Sequence, residues 1–246
     1  MKFSTRDKAI LIGLYLSKFD KEGLKSLGFS GFMEAFNTLG LAIGAKPLSL
    51  RNYRDEFDPY FPNPRIGWNK RTLRDYCKKI LDDFNSLYFD DFTELIKSFL
   101  VPNYEIEKFV EKIEKKEWSE SVAKRLITGK SAEEYFKINY QSINQFKDYD
   151  LEDTTNFACG FDYKLSKQKS FYCVEVKGLT MSCGTIMMTE KEFFTANELK
   201  QQYCLFVVLN FVEKPYHEYF FDPLNSRLSF KKSERTVTQI SYSTAL

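Results

Sequence analysis

The sequence predicts an α+β fold, in which an N-terminal all-α helical domain precedes an α/β domain with a mixed central sheet flanked by helices. Before residue 155, apolar side chains recur at helical spacing, and after it the pattern changes to strand-like alternation. The segment YCLFVVL at residues 203–209 is almost continuously apolar, which is typical of a central strand buried on both faces. We therefore predict a helical domain at 1–105, a helical linker at 106–130 and the α/β domain at 131–246.

Composition limits the function classes without indicating one. Of the 246 residues, 43% are hydrophobic, which is enough for a packed core and argues against global disorder. The formal net charge of +2 is nearly balanced, so any surface that binds nucleic acid has to be local.

Cysteine usage and the lack of long apolar runs predict a cytoplasmic protein. The five cysteines show no C-x-x-C spacing, and an odd number without a framework predicts reduced thiols. The N-terminus lacks the apolar run of a secretory signal and no stretch reaches transmembrane length, so we expect no membrane contact. The only histidine, His217, has no cysteine close to it in sequence, which argues against a zinc site and against histidine-based catalysis.

The first half of the chain reads as a series of helices separated by turn residues. Thr5, Ser30 and Ser49 each precede an apolar periodic segment and are therefore predicted to open helices. Three prolines and a glycine make residues 58–68 a rigid loop. The predicted helices are residues 5–18, 23–29, 30–45, 49–57, 69–84, 89–101 and 106–113.

This rigid loop and its flanks carry the densest mixture of basic and aromatic residues in the chain. Arginine forks hold phosphates and aromatic rings stack on bases, so we expect this cluster to contact nucleic acid. The alternative is a structural loop, in which Arg51 and Arg54 pair locally with Asp55, Glu56 and Asp58 and Trp68 lies in the core. The cluster comprises Arg51, Arg54, Arg65, Trp68, Lys70, Arg71 and Arg74.

The second half alternates between helical and strand patterns. We predict helices at 131–146 and 189–200, and strands at 157–165, 171–177, 203–212, 216–221 and 236–242. Thr189 and Glu192 have the spacing of a capping box, which opens the second of these helices.

Charged residues of mixed sign occur on the predicted hairpin formed by strands 157–165 and 171–177. Glu175 and Lys177 are two positions apart and therefore project from one face, and the hairpin can bring Asp162 close to both. Two carboxylates can hold Mg²⁺, and a neighbouring lysine can orient a water molecule or offset phosphate charge. The alternative is a solvent-facing strand edge with ordinary same-face pairing.

These residues carry a family resemblance. Residues 160–162 (GFD) followed by 174–178 (VEVKG) resemble the PD-(D/E)XK nuclease superfamily and, more narrowly, the NO VEIN-type C-terminal domain of restriction and defence proteins. Residues 129–136 (GKSAEEYF) are similar to that domain's upstream helix pattern, and residues 188–192 (MTEKE) to its downstream helix start. The resemblance covers about residues 125–246. It departs from the pattern at Ala132, where the family has glycine, and in lacking the proline of a Pro-Asp motif.

The resemblance implies that residues 131–246 form a restriction-endonuclease-like nuclease domain. It places Glu133 as a third acidic group that faces the metal, and it places the counterpart of Glu192 near the acidic strand end. Position alone offers simpler explanations for both. An acid in the first turn of a helix is stabilised by the macrodipole, which accounts for Glu133 and Glu134, and Glu192 is accounted for by its capping box.

The leading hypothesis is a Mg²⁺-dependent DNA endonuclease of bacterial restriction or anti-phage type, with Mn²⁺ as a substitute metal. Asp162, Glu175 and Glu133 would bind the metal, and Lys177 would position the attacking water. Cutting both strands favours a homodimer, and a monomer that nicks one strand is the alternative. The alternatives are a non-catalytic nuclease-fold subunit that holds DNA, and an adaptor whose helices dock a partner ATPase or methyltransferase.

Overall fold

The computed structural model describes residues 3–100, 116–157 and 159–233, and it confirms the α+β class. Helices make up the N-terminal part, and a five-stranded mixed sheet lies in the C-terminal part. The helices are α1 (Thr5–Lys18), α2 (Asp20–Ser26), α3 (Phe32–Ala42), α4 (Pro47–Phe57), α5 (Asp75–Phe84), α6 (Phe89–Leu100), α7 (Lys116–Asn139) and α8 (Glu190–Leu199). The strands are β1 (Asp150–Asp153), β2 (Tyr163–Lys167), β3 (Ser170–Gly178), β4 (Tyr203–Leu209) and β5 (Tyr216–Phe221).

Strand order in the sheet follows the chain, β1-β2-β3-β4-β5. The β3–β4 pair is parallel and the other three pairs are antiparallel. A parallel pair needs a crossover connection, and α8 lies in the segment that joins β3 to β4. All seven residues of β4 are buried, as the continuous apolar run predicts.

The sheet is covered on both faces. On one face, Phe136 of α7 packs on the alternate residues Val174 and Val176 of β3 and on Phe206 of β4. On the other face, Ala196 of α8 packs in a cluster with Cys173 and Tyr203. Because successive strand residues point to opposite faces, Glu175 and Lys177 belong to the α8 face.

The helical half is built around α1, whose residues from Ala9 to Ser17 are all buried. It packs mainly on α4, with further contacts to α2, α5 and α6. A helix that is apolar on all sides is expected only where neighbours surround it. Among the described residues, no helix combines the length and the apolar character needed to cross a lipid bilayer.

Buried polar contacts join the helical half to the C-terminal half. Lys124 of α7 forms a salt bridge of 2.5 Å with Glu34 of α3, and the Glu34 side chain is almost fully buried. The Asn37 side-chain amide donates to the Phe211 carbonyl at 2.8 Å, beyond the end of β4. Buried polar groups must be paired, so these contacts fix how α3 lies against α7 and the sheet.

Helix α7 differs from its prediction because it begins upstream of Ser131. It spans Lys116–Asn139, so position 131, the predicted boundary, lies inside a helix. Ser131 does not cap it; its hydroxyl donates to the carbonyls of Ile127 and Thr38, at 2.6 Å each. Packing against α3 outweighs the helix cost of Gly129, which is about 1 kcal/mol.

Other observed helix and strand ends differ from the predicted ones where long-range contacts or turns fix the backbone. Helix α5 begins at Asp75 rather than at residue 69, and the Arg74 backbone N–H donates to the Glu56 carboxylate at 3.0 Å. The first hairpin strand begins at Tyr163 rather than at 157, because Thr155–Phe157 is a 3-10 turn. The predicted helix at 106–113 and the predicted strand at 236–242 lie outside the described residues.

Strand β1 was missed because its sequence, DLED, is short and acidic. It pairs with β2 at an edge of the described sheet, where polar side chains are tolerated and limit further strand pairing. At the other end of the sheet, the prediction for β5 matches its observed bounds, residues 216–221.

Candidate active site

Two glycines allow helices to approach the hairpin closely. At Gly160, with φ of +92°, an added Cβ would lie 2.3 Å from the hydroxyl oxygen of Thr195 on α8. At Gly178, the end of β3, it would lie 2.9 Å from the carbonyl oxygen of Thr128 on α7. A larger residue at either position would push its helix away, so both glycines set the distance between helix and hairpin.

Asp162 is anchored directly beside β3. Its backbone N–H donates to the Val174 carbonyl at 2.9 Å, and its Oδ2 accepts from the Val176 N–H at 2.8 Å. Because Tyr163 pairs with Val174 in an antiparallel register, the preceding Asp162 stands opposite Glu175. The predicted juxtaposition of Asp162 and Glu175 is therefore present in the structure.

Lys177 contacts two carboxylates at once. Its Nζ donates to Glu175 Oε1 at 2.6 Å and to Glu192 Oε2 at 2.8 Å. The side-chain exposures are 6% for Glu175, 14% for Glu192 and 20% for Lys177. The acids are thus mostly withdrawn from water, whereas the lysine keeps the largest opening to solvent.

Burial and crowding of acids shift the protonation of this cluster. Loss of hydration, reinforced by the Asp162 charge and opposed by Lys177, raises the pKa of Glu175 to about 8. Loss of hydration and the charge of Glu133 raise the pKa of Asp162 to about 6, although the Val176 N–H opposes the shift. Burial acts against the charged forms of Lys177 and Glu192. Contact with Glu175, and then with Glu192, outweighs burial and raises the pKa of Lys177, while contact with Lys177 lowers the pKa of Glu192.

Glu133 lies near this cluster but is occupied by a salt bridge. It lies on α7 and contacts Lys130 Nζ at 3.1 Å, while Glu134 contacts Lys130 at 3.4 Å and Lys137 at 3.2 Å. Its charge still reaches Asp162, whose pKa it raises. The macrodipole explanation for Glu133 and Glu134 is wrong, because α7 begins fifteen or more residues upstream, at Lys116.

The donor set is compatible with a hard divalent cation. Asp162 and Glu175 offer carboxylate oxygens from adjacent chain segments, and Mg²⁺ is commonly bound by one or two carboxylates together with waters and substrate phosphates. Among the described residues, no group of three or more Asp, Glu, His or Cys side chains has the arrangement of a metal site. Glu133 therefore does not complete a three-ligand shell in this structure.

The basic-aromatic cluster divides into two parts. Arg54, Arg65 and Arg74 differ from the prediction of a nucleic-acid surface, because internal carboxylates hold their guanidinium groups. The local pairing of the alternative is present at Arg51, which contacts Asp55, and at Arg54, which contacts Asp55 and Asp58. Arg65 and Arg74, which that alternative does not include, are paired as well. Arg65 makes two bonds to Asp58, at 2.8 and 2.9 Å, and Arg74 Nε lies 2.9 Å from Glu56.

The remaining members form an outer surface, the 68–71 loop surface, comprising Trp68, Lys70 and Arg71. The Arg71 guanidinium lies over the Trp68 ring at 3.6 Å, and Lys70 and Arg71 are exposed. Residues 67–71 line an open groove of about 450 Å³. Arg51 is also exposed, at 53%, with Asp55 at 3.7 Å.

The structure shows what His217 and Glu192, which are not among the predicted catalytic or binding residues, contact. His217 packs its ring on Phe206, with centroids 4.8 Å apart, and its Nδ1 lies 3.2 Å from the Tyr135 hydroxyl. The capping box of Thr189 and Glu192 is confirmed, and the same Glu192 carboxylate also binds Lys177. In the sequence, capping alone accounts for Glu192 without its contact to Lys177. The one sequence signal for that contact is the family resemblance, which places the counterpart of Glu192 near the acidic strand end.

Comparison with known proteins bears on this region alone. Residues 132–221 match the family model described as Protein NO VEIN, C-terminal. The matched range is narrower than the 125–246 resemblance, and it contains Glu133, Asp162, Glu175, Lys177 and Glu192. No curated protein and no solved structure matches the chain. The family match supports a NO VEIN-type domain over residues 132–221.

Proposed function

We propose that the C-terminal half is a metal-dependent phosphodiesterase domain that cleaves DNA. The observation that carries this proposal is the charge of the cluster. Lys177 contacts Glu175 and Glu192, and Asp162 stands opposite Glu175, so three acids and one base share a mostly buried site. If all four are ionised, three negative charges and one positive charge leave an excess of two negative charges, which one divalent cation would balance.

Each residue then has a distinct task. Asp162 and Glu175 would hold Mg²⁺, or Mn²⁺ in its place, and Glu133 would add negative charge nearby. The bound ion would supply Lewis acidity toward a phosphate oxygen and an acidified water. Lys177 has a third N–H to orient water or contact phosphate. Hydrolysis adds the water oxygen to phosphorus, breaks the bond to the leaving oxygen and transfers a proton to that oxygen.

The resemblance to PD-(D/E)XK nucleases and the NO VEIN family match support the same reading. The resemblance implies a bacterial restriction or anti-phage setting, and the cysteine usage favours a cytoplasmic protein. In that setting we expect a homodimer for double-strand cutting, one site per strand, and a partner ATPase or methyltransferase that docks on the helical half.

DNA would also contact the 68–71 loop surface and Arg51. Lys70 and Arg71 form no ion pair within 4.0 Å among the residues that the structure describes, so their charges are available to phosphates. Trp68 is held in place by its backbone N–H, which donates to the Asp55 carbonyl at 2.8 Å. A fixed aromatic ring beside unpaired cations suits phosphate and base contact.

One observation favours a second candidate, a non-catalytic subunit that holds DNA. Lys177 is bound to Glu175 and Glu192, and Glu133 is bound to Lys130, so both groups already have protein partners. A domain of this kind would bind DNA through the 68–71 loop surface without hydrolysing it. It would also show no binding of divalent metal.

Plasmid cleavage tests the proposal. The wild-type protein, with Mg²⁺ or Mn²⁺ and with chelator, is compared with Glu175→Gln and Lys177→Ala. Glu218→Gln and Lys167→Ala are matched controls, because both residues are surface members of ion pairs on other strands of the same sheet. We expect metal-dependent cleavage by the wild type and controls, and a loss of about 10²-fold or more in the two site variants.

The outcomes separate the nuclease from the non-catalytic subunit and from the adaptor. Equal cleavage by wild type and Glu175→Gln would eliminate this site as the catalytic centre. Absence of cleavage in the wild type, with DNA binding retained and no heat of Mn²⁺ binding by calorimetry, would select the non-catalytic subunit. Absence of DNA affinity at low salt, where phosphate contacts are strongest, would select the adaptor.

A further inference from the structure

We propose that Glu192 is a positioning residue that aims the Lys177 ammonium into the site, an inference that rests on the proposed function. The contact that carries it is the bond from Lys177 Nζ to Glu192 Oε2, at 2.8 Å. It joins the first turn of α8 to the end of β3, 15 residues away in sequence. Glu192 does not touch the reacting atoms in this scheme; it acts through Lys177.

The geometry requires a second anchor for the lysine. Lys177 donates to Glu175 at 2.6 Å and to Glu192 at 2.8 Å. When Glu175 directs its charge toward a cation, its hold on Lys177 weakens. Glu192 is then the remaining acid that contacts Lys177 among the described residues. It keeps the flexible lysine side chain in one orientation, where it would otherwise sample several rotamers.

Helix capping alone does not explain the placement of Glu192. For the capping box, the Glu192 carboxylate has only to accept from the Thr189 N–H, at 3.0 Å, while the Thr189 hydroxyl accepts from the Glu192 N–H. The Glu192 side chain is only 14% exposed. Withdrawing a carboxylate from water is unfavourable without a compensating charge, and Lys177 supplies that charge. The close approach of α8 at Gly160 keeps Glu192 within reach of Lys177.

Three variants separate positioning from capping. Glu192→Ala removes both contacts, whereas Thr189→Ala removes the capping hydroxyl and leaves the Lys177 contact. Glu192→Gln keeps an oxygen that can accept from both Thr189 and Lys177, but removes the charge. We expect kcat to fall by about 10-fold to 10²-fold in Glu192→Ala with KM for DNA unchanged, little change in Thr189→Ala and partial recovery in Glu192→Gln.

A second readout is independent of cleavage. Amine acylation of metal-free protein, followed by mass spectrometry, reports how firmly Lys177 is held. Labelling at Lys177 should rise several-fold in Glu192→Ala and stay at the wild-type level in Thr189→Ala. If the wild type does not cleave DNA but this labelling pattern holds, the proposed function fails and the positioning contact stands.

Three results would overturn the inference. Equal loss of kcat in Glu192→Ala and Thr189→Ala would reduce Glu192 to a helix cap. Unchanged Lys177 labelling in Glu192→Ala would show that Glu192 does not hold the lysine. Weaker Mn²⁺ binding by calorimetry in Glu192→Gln, with labelling unchanged, would make Glu192 a metal ligand instead. If Glu192→Ala does not fold, the kcat and the Lys177 labelling of Glu192→Gln are compared with those of Thr189→Ala, and the same criteria apply.

Discussion

Replacing Glu175 with glutamine should stabilise the metal-free protein at high pH while removing its proposed activity. Burial and the neighbouring acid raise the pKa of Glu175 to about 8 in the folded protein, from an ordinary value of 4.5. A group whose pKa is raised on folding costs nothing below its unfolded pKa, and its penalty grows as pH rises toward the folded pKa. The penalty is therefore absent near pH 4, increases between pH 4.5 and 8 and is complete above pH 8.

The size of this effect follows from the pKa difference and the contacts that glutamine keeps. Each unit of pKa difference corresponds to about 1.4 kcal/mol, so the full penalty is on the order of a few kcal/mol. Glutamine retains an oxygen that can accept from Lys177, and Lys177 keeps its bond to Glu192, so the lysine is not left unpaired. We expect Glu175→Gln to exceed the wild type by about 1–3 kcal/mol at pH 9.

Urea denaturation in chelator at pH 5 and pH 9 measures this difference. The wild type should lose more stability between the two values than Glu175→Gln, and Asp162, with a pKa near 6, contributes a change of the same sign to both proteins. A Glu175→Gln variant that is less stable than the wild type at pH 9 would refute the reasoning, because it would mean that Lys177 fully compensates the Glu175 charge.

Three further predictions concern the metal, the arginines and the glycines. Mg²⁺ at pH 8.5 should raise the melting temperature of the wild type, because it neutralises the excess charge, and should leave Asp162→Asn unchanged in differential scanning calorimetry. Arg65→Ala should cost about 1–3 kcal/mol in urea denaturation, because it removes two charged hydrogen bonds from the buried Asp58 carboxylate, which keeps its contacts with Ser17 and Arg54. Arg71→Ala should cost under about 1 kcal/mol but weaken DNA binding and lower its salt dependence. Gly160→Ala should destabilise the protein, because the added Cβ would collide with Thr195. Gly129 lies within a helix and has open space around it, so Gly129→Ala should raise the free energy of unfolding by about 0.5–1 kcal/mol. Equal melting temperatures for the two variants would contradict the close approach of α8 at Gly160.

The parts of the fold that sequence patterns predicted are those fixed by local chemistry. Helix α1 has the predicted bounds of residues 5–18, although Ser4 rather than Thr5 caps it. The capping box at Thr189 depends on residues three apart, and it is present. The meeting of Asp162 with Glu175 follows from strand alternation and a short hairpin, and both are readable within some fifteen residues of sequence.

The missed features depend on contacts between distant segments. Helix α7 continues through Ser131 because α3 packs on it, and the Ser131 hydroxyl bonds to Thr38, 93 residues away. Arg74 pairs with Glu56, and Arg65 pairs with Asp20 and Asp58, so carboxylates of the protein itself occupy these predicted surface cations. The contact of Glu192 with Lys177 exists only because the β3–β4 crossover returns α8 to the sheet.

The proposed chemistry requires Asp162 and Glu175 to hold a divalent cation together. Anomalous diffraction from crystals soaked in Mn²⁺ tests it directly. We expect a peak about 2.1 Å from an oxygen of each carboxylate in the wild type and no such peak in Glu175→Gln crystals. A wild-type map with no peak at these two carboxylates, at a Mn²⁺ concentration that supports cleavage, would contradict it.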